Sequence, residues 1–99
     1  MLLKNAIAYE EGKINSVSLI VNESGSVGIL AFDKGVTLET HQVDADVMVQ
    51  ILEGVVEFTA DGNPVILKEG EFLRMKPHTP HSLKAVERFK ILLTKLNAR

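Results

Sequence analysis

The sequence predicts an all-β fold, an antiparallel sandwich or barrel, on three observations. Short apolar runs rich in Val, Ile, Phe and Thr recur along the chain. Turn signals interrupt them every ~8–12 residues, the spacing of such folds. Asp61-Gly62 is a hairpin signature, because glycine tolerates the positive φ a tight turn needs.

The elements follow in order. "LLKNAIAYEEG" at the N-terminus reads as a strand segment needing a partner. "SVSLIV" (16–21) and "VGILAF" (27–32) flank "NESGS". "VMVQIL" (47–52) runs into "EGVVEFTA" (53–60), and the turn "DGNP" (61–64) leads to "VILK" (65–68). "EGE" (69–71) separates that run from "FLRM" (72–75). The last segment, "VERFKILLTKL" (86–96), is ambiguous: Leu92, Leu93 and Leu96 fit a helix, while Phe89, Ile91 and Leu93 alternate with polar residues. Period two fits 86–94 better, so a strand is expected.

Composition narrows the function classes. Ninety-nine residues make one domain, 1–99, with a modest core, so association would add stability. Net charge is −2 with Lys and Arg scattered, which argues against a nucleic-acid or anionic-membrane surface. Without cysteine, disulfides and thiolate metal sites are excluded. No run resembles a signal peptide or approaches the ~18 apolar residues of a membrane span. A cytoplasmic protein is expected.

Two stretches resemble the motifs of the cupin superfamily. Residues 35–54 are similar to its first motif, G-x5-H-x-H-x3,4-E-x6-G, and residues 70–85 to its second, G-x5-P-x-G-x2-H-x3-N. The resemblance covers roughly residues 30–95. It implies a small RmlC-like jelly roll, also described as a double-stranded β-helix, which closes into an antiparallel β-barrel and is commonly a homodimer. It also implies a divalent transition metal (Fe, Mn, Ni or Zn) held by three ligands from the first motif and one from the second.

The departures from that pattern bear on function. His41 and His81 occupy two of the four ligand positions, while Val43 and Val47 occupy the other two. Valine has no lone pair to give. Lys76 stands at the first proline of the second motif, His78 at its glycine and Ala85 at its asparagine. Two imidazoles alone hold a metal weakly, since a catalytic site usually has three protein ligands. Candidate third donors are His78, Asp46, Asp44 and Gln50, of which Gln50 faces away from Val47 if 47–52 is a strand.

Simpler readings stand beside these. His41 and His81 also fit a hydrogen-bonded neutral pair, and His78 an exposed loop residue. Asp44 and Asp46 fit solvated turn positions. Met48 and Met75 fit core or interface fillers. Ser82 follows His81 directly, and strand neighbours point to opposite faces, so they form no nucleophile–base pair.

The expected inward face carries Val43, Val47, Val49 and Ile51, with Phe72 or Leu73 and Phe58 as further walls. An apolar pocket with His41 and His81 as its polar handles suits a small organic ligand. The expectation is therefore a small-molecule-binding or sensing protein with a degraded metal site. A metal-dependent dioxygenase- or isomerase-like enzyme with an unusual ligand set is the alternative.

Overall fold

The computed structural model describes residues 1–97. They form β1 (Ile14–Asn22), β2 (Gly25–Phe32), β3 (Thr37–His41), β4 (Ala45–Glu53), β5 (Val55–Ala60), β6 (Asn63–Lys68), β7 (Phe72–Met75), β8 (His81–Ala85) and β9 (Phe89–Asn97). Two antiparallel sheets face each other, one ordered β1-β2-β9-β4-β7 and the other β3-β8-β5-β6. From β3 onward each connection crosses between them except the β5–β6 hairpin. This is the jelly roll expected from the sequence. No helix among the described residues is long and apolar enough to cross a membrane.

The side-chain period of two sorts each strand into a core face and an outer face. On β4, Ala45, Val47, Val49 and Ile51 are buried, whereas Asp46 between them is exposed. On β9, Phe89 and Ile91 point inward, which settles the ambiguous last segment as a strand. Phe89 stacks on its cross-strand partner Phe32 with ring centroids 4.5 Å apart. Each such buried side chain stabilises the fold by about 1.5–3 kcal/mol. Leu73 pairs with Val49 and packs against the core. Phe72 pairs with Gln50 on the other face and is 63% exposed, so it is not a cavity wall; one step along the pleat reverses the side.

Two tight backbone positions shape the sheets. Asp61 and Gly62 both have positive φ, 53° and 81°, and close the β5–β6 hairpin. Gly54 (φ 87°) joins β4 to β5 where the chain presses against β9: a Cβ there would lie 2.6 Å from Phe89 Cα.

The N-terminal segment is not the expected strand. After a short 3-10 turn, Leu3–Asn5, it lies across the outer face of the five-stranded sheet. Ile7, 8% exposed, packs there on Ile29 and Ala31. Lys90 Nζ donates to Lys4 O, and Tyr9 Oη donates to Glu53 Oε2 at 2.6 Å. Gly12 N–H donates to Asp33 Oδ2 at 2.7 Å, and the Gly12 and Lys34 amides hold that carboxyl below the usual carboxylate range. The segment is thus fixed by one apolar side chain and a few side-chain bonds instead of a strand ladder.

Candidate functional site

His41 ends β3 and His81 begins β8, and the two residues are cross-strand partners. A bulge makes this possible. Leu38 pairs with Leu83, yet His41 pairs with His81, so three steps on β3 match two on β8. Strict alternation from the inward Leu38 would turn residue 41 outward. The extra residue reverses that and aims His41 at the interior. The imidazole centroids lie 4.1 Å apart, with the rings tilted by 58°. His81 is 7% exposed and stacks on Phe58 at 5.8 Å, whereas His41 sits at the open mouth.

Each ring is tied to a backbone carbonyl two residues before it. His41 Nδ1 lies 3.1 Å from Glu39 O, and His81 Nδ1 lies 3.0 Å from Thr79 O. A carbonyl only accepts, so each Nδ1 carries the proton of the bond. In the neutral ring the lone pair then resides on Nε2, which makes no hydrogen bond among the described residues and is not buried from water. Burial pushes the His81 pKa below its ordinary value. The Thr79 carbonyl opposes that shift and the neighbouring His41 adds to it.

The two rings open onto a cavity of about 50 Å³ between the sheets. Its apolar walls include Leu38, Val49, Phe58 and Leu83, and Met75 brings a sulfur. Of the residues anticipated from sequence, His41, Val49, Phe58 and His81 line it. Val47 and Ile51 are buried in the adjoining core, and Val43 packs at the core's edge. Met75, which fits a core filler in the sequence, lines the cavity from the end of β7, where it pairs with Val47. A larger depression of about 340 Å³ lies on the outer face of the four-stranded sheet, between Glu39, Glu57, Thr59, Ser82 and Lys84. It is an open, solvated sheet surface without the histidines, and the smaller cavity is the better site.

The proposed third ligands lie elsewhere. His78 Nε2 is 3.0 Å from Asp44 Oδ1, and both side chains are more than 60% exposed. His78 has φ 66°, and its N–H donates to Val43 O at 2.8 Å. The motif's glycine position demands this left-handed backbone, and the loop contacts hold a histidine in it. Asp46 lies on the exposed side of β4, and Gln50 shares that outer side. Among the described residues no three His, Asp or Glu side chains converge. The donor set therefore does not fit a divalent ion held by three nitrogen or oxygen ligands.

Comparison with known proteins gives a consistent picture. The cupin domain family matches residues 28–94. A cupin superfamily protein from Desulfitobacterium hafniense superposes with a TM-score of 0.95 at 22% identity, over 99% of this chain and 90% of that one. A conserved protein of unknown function from Streptococcus pyogenes is 31% identical with a TM-score of 0.85, over 91% and 79% of the two chains. A cupin 2 conserved barrel domain protein from Leptotrichia buccalis is 33% identical with a TM-score of 0.91; the match covers 96% of this chain and 46% of that one. No curated protein matches the chain.

Proposed function

Because the chain belongs to the cupin domain family, with the motif residues His41 and His81 paired at the barrel mouth, we propose that it binds or senses a small ligand there without catalysing its conversion. The observation that carries this reading is the 4.1 Å approach of two rings whose Nδ1 atoms are already engaged. With each Nδ1 donating to a carbonyl, the neutral rings offer Nε2 as an acceptor and not as a donor. The ligand accordingly offers N–H or O–H groups, or a cation, to that end and apolar surface to the walls. A cavity of about 50 Å³ is far below the ~300–1,000 Å³ of drug-sized sites, so the buried part is a few heavy atoms. The metal-dependent enzyme remains the competing reading and needs a third donor.

Calorimetric or mass-spectrometric screening of small amines and alcohols tests this function. Saturable binding to the native chain, lost in the His41→Leu, His81→Leu double variant, is expected. Turnover supported by stoichiometric Fe, Mn, Ni or Zn would replace binding with catalysis.

We also propose that two copies pair through the outer face of the five-stranded sheet. The register aligns Val17, Ile29, Leu92, Gln50 and Phe72 in one row across that face. The N-terminal segment covers Ile29, but Val17, Ile20, Leu96 and Phe72 stay 38%, 59%, 59% and 63% exposed. Exposed apolar side chains on one sheet face favour association. Light scattering should report a dimer that Phe72→Glu weakens; a native monomer at micromolar concentration would refute the pairing.

A further inference from the structure

The inward face of the five-stranded sheet changes character along three neighbouring strands. On β2, Phe32 and Leu30 give way to Gly28 and Ser26; on β9, Ile91 and Leu93 give way to Lys95; on β1, Ile14 gives way to Ser16 and Ser18. The register sets these changes side by side. Ser16 pairs with Leu30, Ser18 with Gly28, Gly28 with Leu93, and Ser26 with Lys95. Lys95 is also the partner of the buried Val47 on β4, so its side chain leaves the sheet on the inward side. The three serines, Gly28 and Lys95 line a groove of about 110 Å³. Leu30 and Leu93 are walls of both this groove and the histidine cavity, so the two adjoin.

We infer that Lys95 holds the carboxylate of a short organic acid whose other end enters the histidine cavity. The inference rests on the reading that a ligand occupies that cavity, and it names the ligand's chemical class. Lys95 is half-buried and is the one charged residue of the groove. Its cross-strand partners Ser26 and Val47 are neutral, and among the described residues it forms no salt bridge. An ammonium that has lost part of its hydration gains from an opposite charge and a charge-assisted hydrogen bond. The serine hydroxyls can donate to the same anion, which the neutral imidazole acceptors cannot. The two ends of the site therefore ask for different groups, an anion at Lys95 and an N–H or O–H at His41 and His81. One cation matches a monoanion, so a carboxylate fits better than a phosphate dianion. Along β9 two residues of strand, ~6.6 Å, separate Lys95 from Leu93, a step that a hydroxy acid of roughly four to six carbons spans. Its carbons would lie against Leu30 and Leu93.

The test is an NMR titration of the full chain with 3-hydroxybutyrate and 6-hydroxyhexanoate, each beside its methyl ester, and with inorganic phosphate. Saturable binding of an acid is expected, with shifts at the Ser26, Leu93 and Lys95 amides. The matching ester should bind at least about tenfold more weakly, the value of one charge-assisted hydrogen bond. Lys95→Gln should bring acid and ester to similar affinity, and Lys95→Arg should restore most of the difference. Binding of neither acid, or acid and ester bound equally by the native chain, overturns the inference. Phosphate binding as tightly as the acids overturns the assignment to a carboxylate. If His41→Leu, His81→Leu abolishes binding while Lys95→Gln leaves acid and ester unchanged, the anion subsite is wrong and the paired-histidine reading stands. If the double variant still binds the acid undiminished, both fall.

Discussion

The barrel mouth and the N-terminal crossing of the five-stranded sheet both gather polar side chains against apolar surroundings, yet they use them differently. At the crossing the chain meets its own needs. Tyr9 donates a hydrogen bond to Glu53, Lys90 reaches Lys4 O and lies 4.0 Å from Glu53, and the Arg88 guanidinium covers the Tyr9 ring at 4.0 Å. Burial and the Glu53 bond both raise the Tyr9 pKa, which keeps the phenol a donor. At the mouth, Nδ1 of each imidazole is engaged and Nε2 is left for something else. A closed network holds a structure together, while paired groups with unused bonding capacity identify a site. Damage to the first should cost stability and spare binding, and damage to the second should do the reverse.

The largest stability effect is expected at the crossing. Ile7→Ala removes the side chain that seats the N-terminal segment on Ile29 and Ala31, and should cost about 2–3 kcal/mol in chemical denaturation with ligand affinity unchanged. Next, Gly54→Ala should cost about 2 kcal/mol, because its Cβ has no room against Phe89. Tyr9→Phe deletes only the bond to Glu53 and should cost about 1 kcal/mol, again without touching binding.

Acid should act at the mouth more gently. The folded-state pKa of His81 is depressed, so the unfolded chain takes up its proton first as pH falls. Its contribution is full above the ordinary value of ~6.5 and declines from there down through the folded value. A melting-temperature series should show this decline in the native chain and a flatter profile in His81→Leu. An unchanged slope would mean that the ring is not desolvated. The smallest effect belongs to His78→Gly. Relief of the left-handed backbone should offset the lost contact with Asp44, leaving stability within ~0.5 kcal/mol and affinity unaltered. A large loss of affinity there would return His78 to the site.

Legibility in the sequence followed the kind of signal each feature leaves. Strands such as β4, with Val47, Val49 and Ile51 inside, were plain because burial imposes period two on composition. His41 and His81 came from motif spacing, yet the bulge that points His41 inward has no signature in alternation; only the β3–β8 register reveals it. Phe72 and Leu73 differ by one step of pleat, and hydrophobicity alone could not choose between them. The N-terminal segment misled because Ile7 is held by tertiary packing on β2, and a single seated side chain leaves no periodicity. Met75 was legible as a filler, and it is 4% exposed.

Long-range proton–nitrogen NMR of the ring nitrogens, at about pH 8 where the ordinary imidazole is neutral, tests the pairing most directly. His41 and His81 should both carry their proton on Nδ1, and occupation of the cavity should shift both Nε2 resonances together. Protons on Nε2, or a ligand that perturbs one ring and leaves the other unmoved, would contradict a shared acceptor site.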